Sequence, residues 1–274
     1  MIRDIVSYYV VGFDTISVTL PEKGCVGFIT QIKEFVDRRM IGVEVVEESV
    51  NSLTLQCLTK YTALPVFTAF KRMVRAADYM LQDVIGSLRN YREDVLKQVV
   101  EMDDIVDRFY LFVLRQLNAV ILGIMPPADL ELRSYFEAAS LRMAAKFVER
   151  VGDHAQAIAD EMLRVGAAVP PDALPVVEDF MRRARDCFLR AARTIVKYDV
   201  DEAHAVIEEA LKARDLEDRL VREALRVSAE APSAILIKRL AESARRVMEY
   251  SADIAEVTIN TATAHRKILA GEGF

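Results

Sequence analysis

Tryptophan is absent from the chain, and cysteine, glycine and proline are scarce, with 3, 10 and 8 copies in 274 residues. Asparagine and glutamine are also rare, with 4 and 6. The cysteines, Cys25, Cys57 and Cys187, are odd in number, widely spaced and form no C-x-x-C pair. That excludes a disulfide framework and a zinc knuckle and leaves them as small apolar fillers. Few glycines and prolines mean few turns and long elements. No P-loop, G-x-G-x-x-G or nucleophile–base signature is present. An apolar run long enough to span a bilayer is missing as well: Tyr110–Met125 comes nearest, and Arg115, Gln116 and Asn118 interrupt it. The N-terminus has no basic region followed by an apolar stretch and a cleavage site, so we expect a cytoplasmic protein. A formal charge of −6 counts against wrapping nucleic acid through its phosphates. What remains is 52% hydrophobic and 28% charged residues, enough for a large core without staples.

Residues 1–60 mix two periodicities. Tyr8–Leu20 is β-branched and aromatic, and is expected to be a strand kinked at Gly12. Phe28–Met40 has helical spacing and stops at Gly42. The runs 43–46 and 53–58, split by a polar turn, predict a hairpin. These make a small β-α-β-β unit.

From Leu64 onward the pattern is helical. Helices are expected over 64–89, 92–123, 128–165, 172–198, 200–230 and 232–269, with breaks at Asn90, Pro126-Pro127, Pro170-Pro171, Asp199 and Pro232. Long helices with short connections imply antiparallel neighbours. The organisation repeats. Asp104-x-x-Asp107-Arg108 recurs as Asp215-x-x-Asp218-Arg219, 111 positions on. Arg150-Val151-x-Asp153 recurs as Arg246-Val247-x-Glu249, 96 positions on. The fold class is therefore mainly α, with two repeated antiparallel three-helix bundles after the small α/β unit. The expected division is 1–60, 61–165 and 166–274.

On these helices Asp104, Asp107, Glu149, Asp153, Asp215, Asp218 and Glu249 fall opposite the apolar stripes. A solvated face, ion-paired to Arg108, Arg150, Arg219 and Arg246, is one meaning of that pattern. Carboxylates three or four residues apart on adjoining helices can also converge on a cation such as Mg, Mn, Fe or Zn. His154 beside Asp153 is expected to be packed or hydrogen-bonded, Gly152 to permit a close helix approach, and His204 and His265 to lie on the surface.

Glu149-Arg150-Val151-Gly152-Asp153-His154-Ala155, followed by Ile158-Ala159-Asp160, resembles the E-R-x-x-D-H signature of the PhoU family. The helices holding Asp104/Asp107 and Asp215/Asp218 are similar to its companion acidic motifs. The N-terminal segments with Gly12-Phe13-Asp14 and Ile41–Glu48 are similar to archaeal PhoU-like chains, without the SpoVT/AbrB-type DNA-binding hairpin that opens many of them. The resemblance implies a non-enzymatic regulator of phosphate uptake. It would bind divalent or transition metal ions (Fe, Mn, Zn or Mg). Its partners would be phosphate ABC-transporter components or a signalling protein. By carry-over, Asp104, Asp107, Glu149 and Asp153 would be metal ligands in one repeat and Asp215, Asp218 and Glu249 in the other, where Arg245 replaces the glutamate. A homodimer through the β unit is expected. Direct nucleic-acid binding is not, and membranes are reached only through the partner. The alternatives are a metal-free helical scaffold or oligomerisation module and, further off, a di-metal carboxylate bundle enzyme; the latter's E-x-x-H pattern is missing.

Overall fold

The computed structural model describes residues 1–21, 25–227 and 231–269. The element order is α1 (Ile2–Val11), β1 (Thr15–Thr19), α2 (Cys25–Arg39), β2 (Val43–Glu48), β3 (Ser52–Cys57), α3 (Val66–Arg89), α4 (Glu93–Ile121), a 3₁₀ turn (Pro127–Leu130), α5 (Tyr135–Val165), α6 (Leu174–Lys197), α7 (Val200–Ala210), α8 (Ala213–Val227) and α9 (Ala231–Leu269). The chain is mainly helical, as its periodicity implies. No described helix is long and apolar enough to cross a membrane. Packing groups it into two compact units: Met1–Met73 with Asp107–Ala145, and Val74–Val106 with Lys146–Phe274.

In the first unit the hairpin β2–β3 forms as expected, and β1 adds to β3, giving an antiparallel sheet of order β1-β3-β2. Ile16 faces Leu55 across the ladder, and Leu53 and Leu55 point into a core with Ile5, Tyr9, Ile32, Val36 and Met40. A bulge at Val45/Glu47 shifts the β2 register. The expected strand from Tyr8 is corrected: residues 2–11 are helical. Ile5 and Tyr9, four apart, form the buried stripe of α1, so the β-branched composition is overruled by helical spacing. Gly12, at φ 110°, ends the helix. Its N–H donates to Tyr9 O and that of Phe13 to Tyr8 O, the paired bonds of a Schellman cap.

The polar residues that interrupt Tyr110–Met125 turn out to be the clamps of this unit. Arg115, 1% exposed, donates to Tyr9 O, Phe13 O and Asp14 Oδ1 at 2.8, 2.9 and 2.6 Å. Asn118 donates to Val10 O, and Gln116 to Tyr61 O and Leu64 O. Two of them therefore satisfy the carbonyls orphaned at the α1 C-terminus, where a cation is also favoured.

Two helix boundaries differ from expectation. The helix expected from 128 starts at Tyr135. The Pro126-Pro127 turn ends in left-handed Glu131. Ser134 Oγ accepts from Glu137 N, and Glu137 Oε2 accepts from Arg133 N, a near capping box that resets the start. The helix expected over 200–230 is interrupted at Leu211–Lys212, where backbone conformation stays right-handed at Leu211 but the hydrogen-bond ladder breaks. Its final residues, and the expected break before Pro232, lie outside the described residues. Asp199 does start the segment, its side chain accepting from Glu202 N.

In the second unit α6 and α7 pack on one another and both pack on α9, as does α8. Phe180, Ala184, Phe188 and Ile195 on α6 and Leu240, Val247 and Ile254 on α9 are buried. Thr194 and Thr258 meet hydroxyl to hydroxyl at 2.9 Å between these helices.

Candidate functional site: the α5–α9 acidic and arginine motifs

Gly152 makes the first contact that positions the site. A Cβ there would sit 3.2 Å from Val106 Cγ1, so glycine lets α5 approach α4 closely. Gln156 Nε2 donates to Val100 O farther along. Contacts 152–106 and 156–100 run in opposite chain directions, so the helices are antiparallel, with Asp103 and Asp104 level with Asp153. The expectation for Gly152 holds.

The other side of α5 meets α9. His154 Nδ1 and Ser243 Oγ are 3.2 Å apart, as expected of a hydrogen-bonded histidine. The Phe147 and Tyr250 rings stack at 6.1 Å, and His154 lies 5.9 Å from Tyr250. Burial lowers the His154 pKa, and Arg246 adds to the effect, so the imidazole is held neutral near pH 7. With its 96-residue offset, the repeat pairs Phe147 with Ser243 and His154 with Tyr250. The contacts 154–243 and 147–250 are therefore each other's mates. The two motif helices meet about a local pseudo-two-fold axis, and the internal repeat is visible in packing as well as in sequence.

Glu149 does not lie on a solvated face. Only 9% exposed, it is held between Val148 and Val151 because α5 is covered on more than one side. Its Oε1 accepts from Lys146 Nζ at 2.5 Å. Its Oε2 is buried without a hydrogen-bond donor, and Arg150 Nε stands 3.8 Å away. Burial is the largest influence and raises the Glu149 carboxyl above its ordinary value. Asp153 adds to that, and Lys146 and Arg150 offset it in part. Asp153 is half-buried and accepts from Arg150 Nη1 at 2.9 Å. Asp104 is half-buried, and its neighbour Asp103, which spacing alone did not single out, is 5% exposed. Asp107 belongs to the first unit, where its carboxylate accepts from Arg39.

In the second repeat Glu249 accepts from Arg245 Nη1 and Arg246 Nη1 at 2.5 and 2.6 Å, and Arg245 Nε also pairs with Glu217 at 2.5 Å. Burial alone would raise the Glu249 carboxyl; the two guanidinium groups outweigh it and hold it below its usual value. Asp215 and Asp218 are exposed on α8. Among the described residues no three His, Cys, Asp or Glu side chains are already gathered as a metal-ligand set. His204 is exposed, as expected. His265 is not: it is 6% exposed, its ring edge-on to Tyr198 at 4.8 Å.

Antiparallel amphipathic helices, repeated, with acid–arginine motifs at equivalent positions, define a two-repeat helical-bundle protein. Residues 70–162, running through α3, α4 and most of α5, match the model of the PhoU domain. The fold is similar to that of a PhoU from Pseudomonas aeruginosa, at TM-score 0.63 and 20% identity, covering 71% of this chain and 93% of that one. A putative PhoU-like phosphate regulatory protein from Shewanella oneidensis MR-1 also matches, at TM-score 0.49 and 14% identity, covering 78% and 98%. No curated protein matches the sequence.

Proposed function

We propose that the chain regulates phosphate uptake through cation-dependent contact with a partner protein, a component of a phosphate ABC transporter or a signalling protein coupled to one. The observation that carries this reading is Glu149: a buried carboxylate oxygen without a donor, on the helix that carries the PhoU motif. A buried anion with an unfilled lone pair is costly unless a cation or donor comes to it. Glu149 and Asp153, with Asp104 level with them on α4, would hold a divalent or transition ion; hard and borderline cations suit oxygen ligands. Asp107, the fourth ligand the family motif implies, accepts from Arg39 within the first unit and is not part of this proposed set. The ion would compete with Lys146 and Arg150 for these oxygens. When displaced, both side chains become available to an acidic surface on the partner. Binding, not turnover, is the output, and the site of action is the cytoplasmic face of the transporter. Residues 61–165 and 166–274 form the two related repeats behind residues 1–60.

A homodimer through β1 fits this arrangement. β1 is an edge strand with no charged residue, whereas the opposite edge, β2, carries Glu44, Glu47 and Glu48 and resists self-pairing. The ion pairs of Glu149 and Asp153 with Lys146 and Arg150 favour a second reading, a metal-free scaffold whose acids are already neutralised. Immobilised full-length chain tested against the transporter's nucleotide-binding subunit separates the two. Binding that rises with Mn²⁺ and is lost in Asp153→Asn supports the first. Binding indifferent to both supports the scaffold.

A further inference from the structure

The two repeats are not equivalent where it matters most. The 96-residue offset that superposes Asp153 on Glu249 also places Arg245 where Glu149 stands. The 111-residue offset that superposes Asp107 on Asp218 places Arg214 where Asp103 stands. Asp103 and Glu149 are the two most buried acids of the first motif pair, at 5% and 9% exposure. Both are arginine in the second. Five carboxylates in one repeat thus correspond to three carboxylates and two guanidinium groups in the other.

The geometry shows what the exchange does. Arg245 lies between Glu217 and Glu249, 2.5 Å from each, with its side chain 19% exposed. Arg246 takes the remaining Glu249 oxygen at 2.6 Å. Arg214 lines the same groove as Glu249, a space of about 390 Å³ between the α7–α8 break and α9. Glu249 thus has both oxygens filled, whereas Glu149 has one oxygen filled and one without a donor. A guanidinium aimed at two carboxylates supplies the positive charge and the directional bonds that an ion would supply. The metal set implied for Asp215, Asp218 and Glu249 therefore does not fit this chain.

We propose that the second repeat carries its cation covalently: the Arg245 guanidinium, clamped between Glu217 and Glu249, takes the place an exogenous metal ion takes in the first repeat, so that only the first repeat responds to metal. The pseudo-symmetric α5–α9 packing then joins one variable site to one fixed site. The fixed half holds the α8–α9 geometry whatever the metal supply, and the variable half reads that supply.

This inference rests on the reading of Glu149 as a cation ligand, and the test keeps the two apart. Full-length Glu149→Gln, in which the first site is disabled, is compared with Glu149→Gln/Arg245→Gln and Glu149→Gln/Arg245→Lys by thermal unfolding, with and without Mn²⁺. The Arg245→Gln form is expected to melt lower and to recover by about 5 °C in saturating Mn²⁺. The single variant and the Arg245→Lys form keep a built-in cation and are expected not to move. A double variant too unstable to purify is refolded with and without Mn²⁺; higher soluble yield with Mn²⁺ supports the proposal and equal yields oppose it. An Arg245→Gln form indifferent to Mn²⁺, or a single variant that binds Mn²⁺ as well as the double one, would overturn it. Wild-type protein without a Mn²⁺ response, beside a responsive double variant, would instead defeat the Glu149 reading and leave the Arg245 assignment standing.

Discussion

Replacing Glu149 by glutamine is expected to make the metal-free protein more stable. The carboxylate buries one oxygen without a donor, which costs about 1–3 kcal/mol. Its other oxygen is bonded to Lys146, whose side chain is 37% exposed, so that pair offsets only about 1 kcal/mol. The net penalty for the charge is therefore about 1 kcal/mol, and Glu149→Gln should raise the melting temperature by about 2–4 °C in chelator-treated buffer. The pH dependence follows from the raised folded-state carboxyl. Below the ordinary glutamate range both states are protonated and the wild type carries no charge penalty. As pH rises through the window between the unfolded and the raised folded value, the unfolded state gives up its proton first and the wild type loses stability. The glutamine variant lacks that loss, so the two melting curves should coincide at low pH and separate towards neutrality. With metal the order reverses: an ion at 100 times its dissociation constant adds about 2.7 kcal/mol to the wild type only. Differential scanning fluorimetry over a pH series, with and without Mn²⁺, reads all of this. A glutamine variant less stable than wild type in chelator would refute the reasoning, because Lys146 would then be compensating the carboxylate fully.

Three further outcomes follow from the first unit. Arg115→Met strips donors from Tyr9 O and Phe13 O and should cost about 3 kcal/mol, with hydrogen exchange accelerated first across residues 2–20; unchanged protection there would remove the clamp. Gly42→Ala drives a Cβ into the Thr59 side chain at φ +73°, and should cost at least about 2 kcal/mol in denaturant titration; a neutral result would show that the β2 entry has room for a side chain. Ser17→Lys puts charge on the β1 edge and should halve the mass seen by light scattering, whereas unchanged mass would move the dimer contact elsewhere.

Much of this was legible in the sequence, for reasons that differ by element. The long helices were, because apolar spacing of 3.6 and the Asn90, Pro170-Pro171 and Asp199 breaks agree with their ends. α1 was not: its composition is β-like, and only the Ile5–Tyr9 spacing and Gly12 at its end betray a helix. Ser134-x-x-Glu137 is a readable start signal for α5, but the Pro126-Pro127 break points to an earlier one. Arg115, Gln116 and Asn118 read as blemishes in an apolar run, since a single stripe cannot say that a helix end will dock on it. The acidic motifs were visible, but not the burial of Glu149: helical projection marks one covered face, and α5 has contacts on two. The Arg245 replacement is visible in the sequence, but its clamp between Glu217 and Glu249 includes an α8–α9 contact that spacing along one helix does not show.

The most direct test of the central claim is elemental analysis of untagged full-length protein by mass spectrometry, beside Glu149→Ala and Asp153→Ala, after reconstitution with Fe, Mn and Zn. Bound metal is expected in the wild type and is expected to be lost in both variants. Wild-type protein without metal, or variants that retain it in full, would rule out a cation site at Glu149 and Asp153.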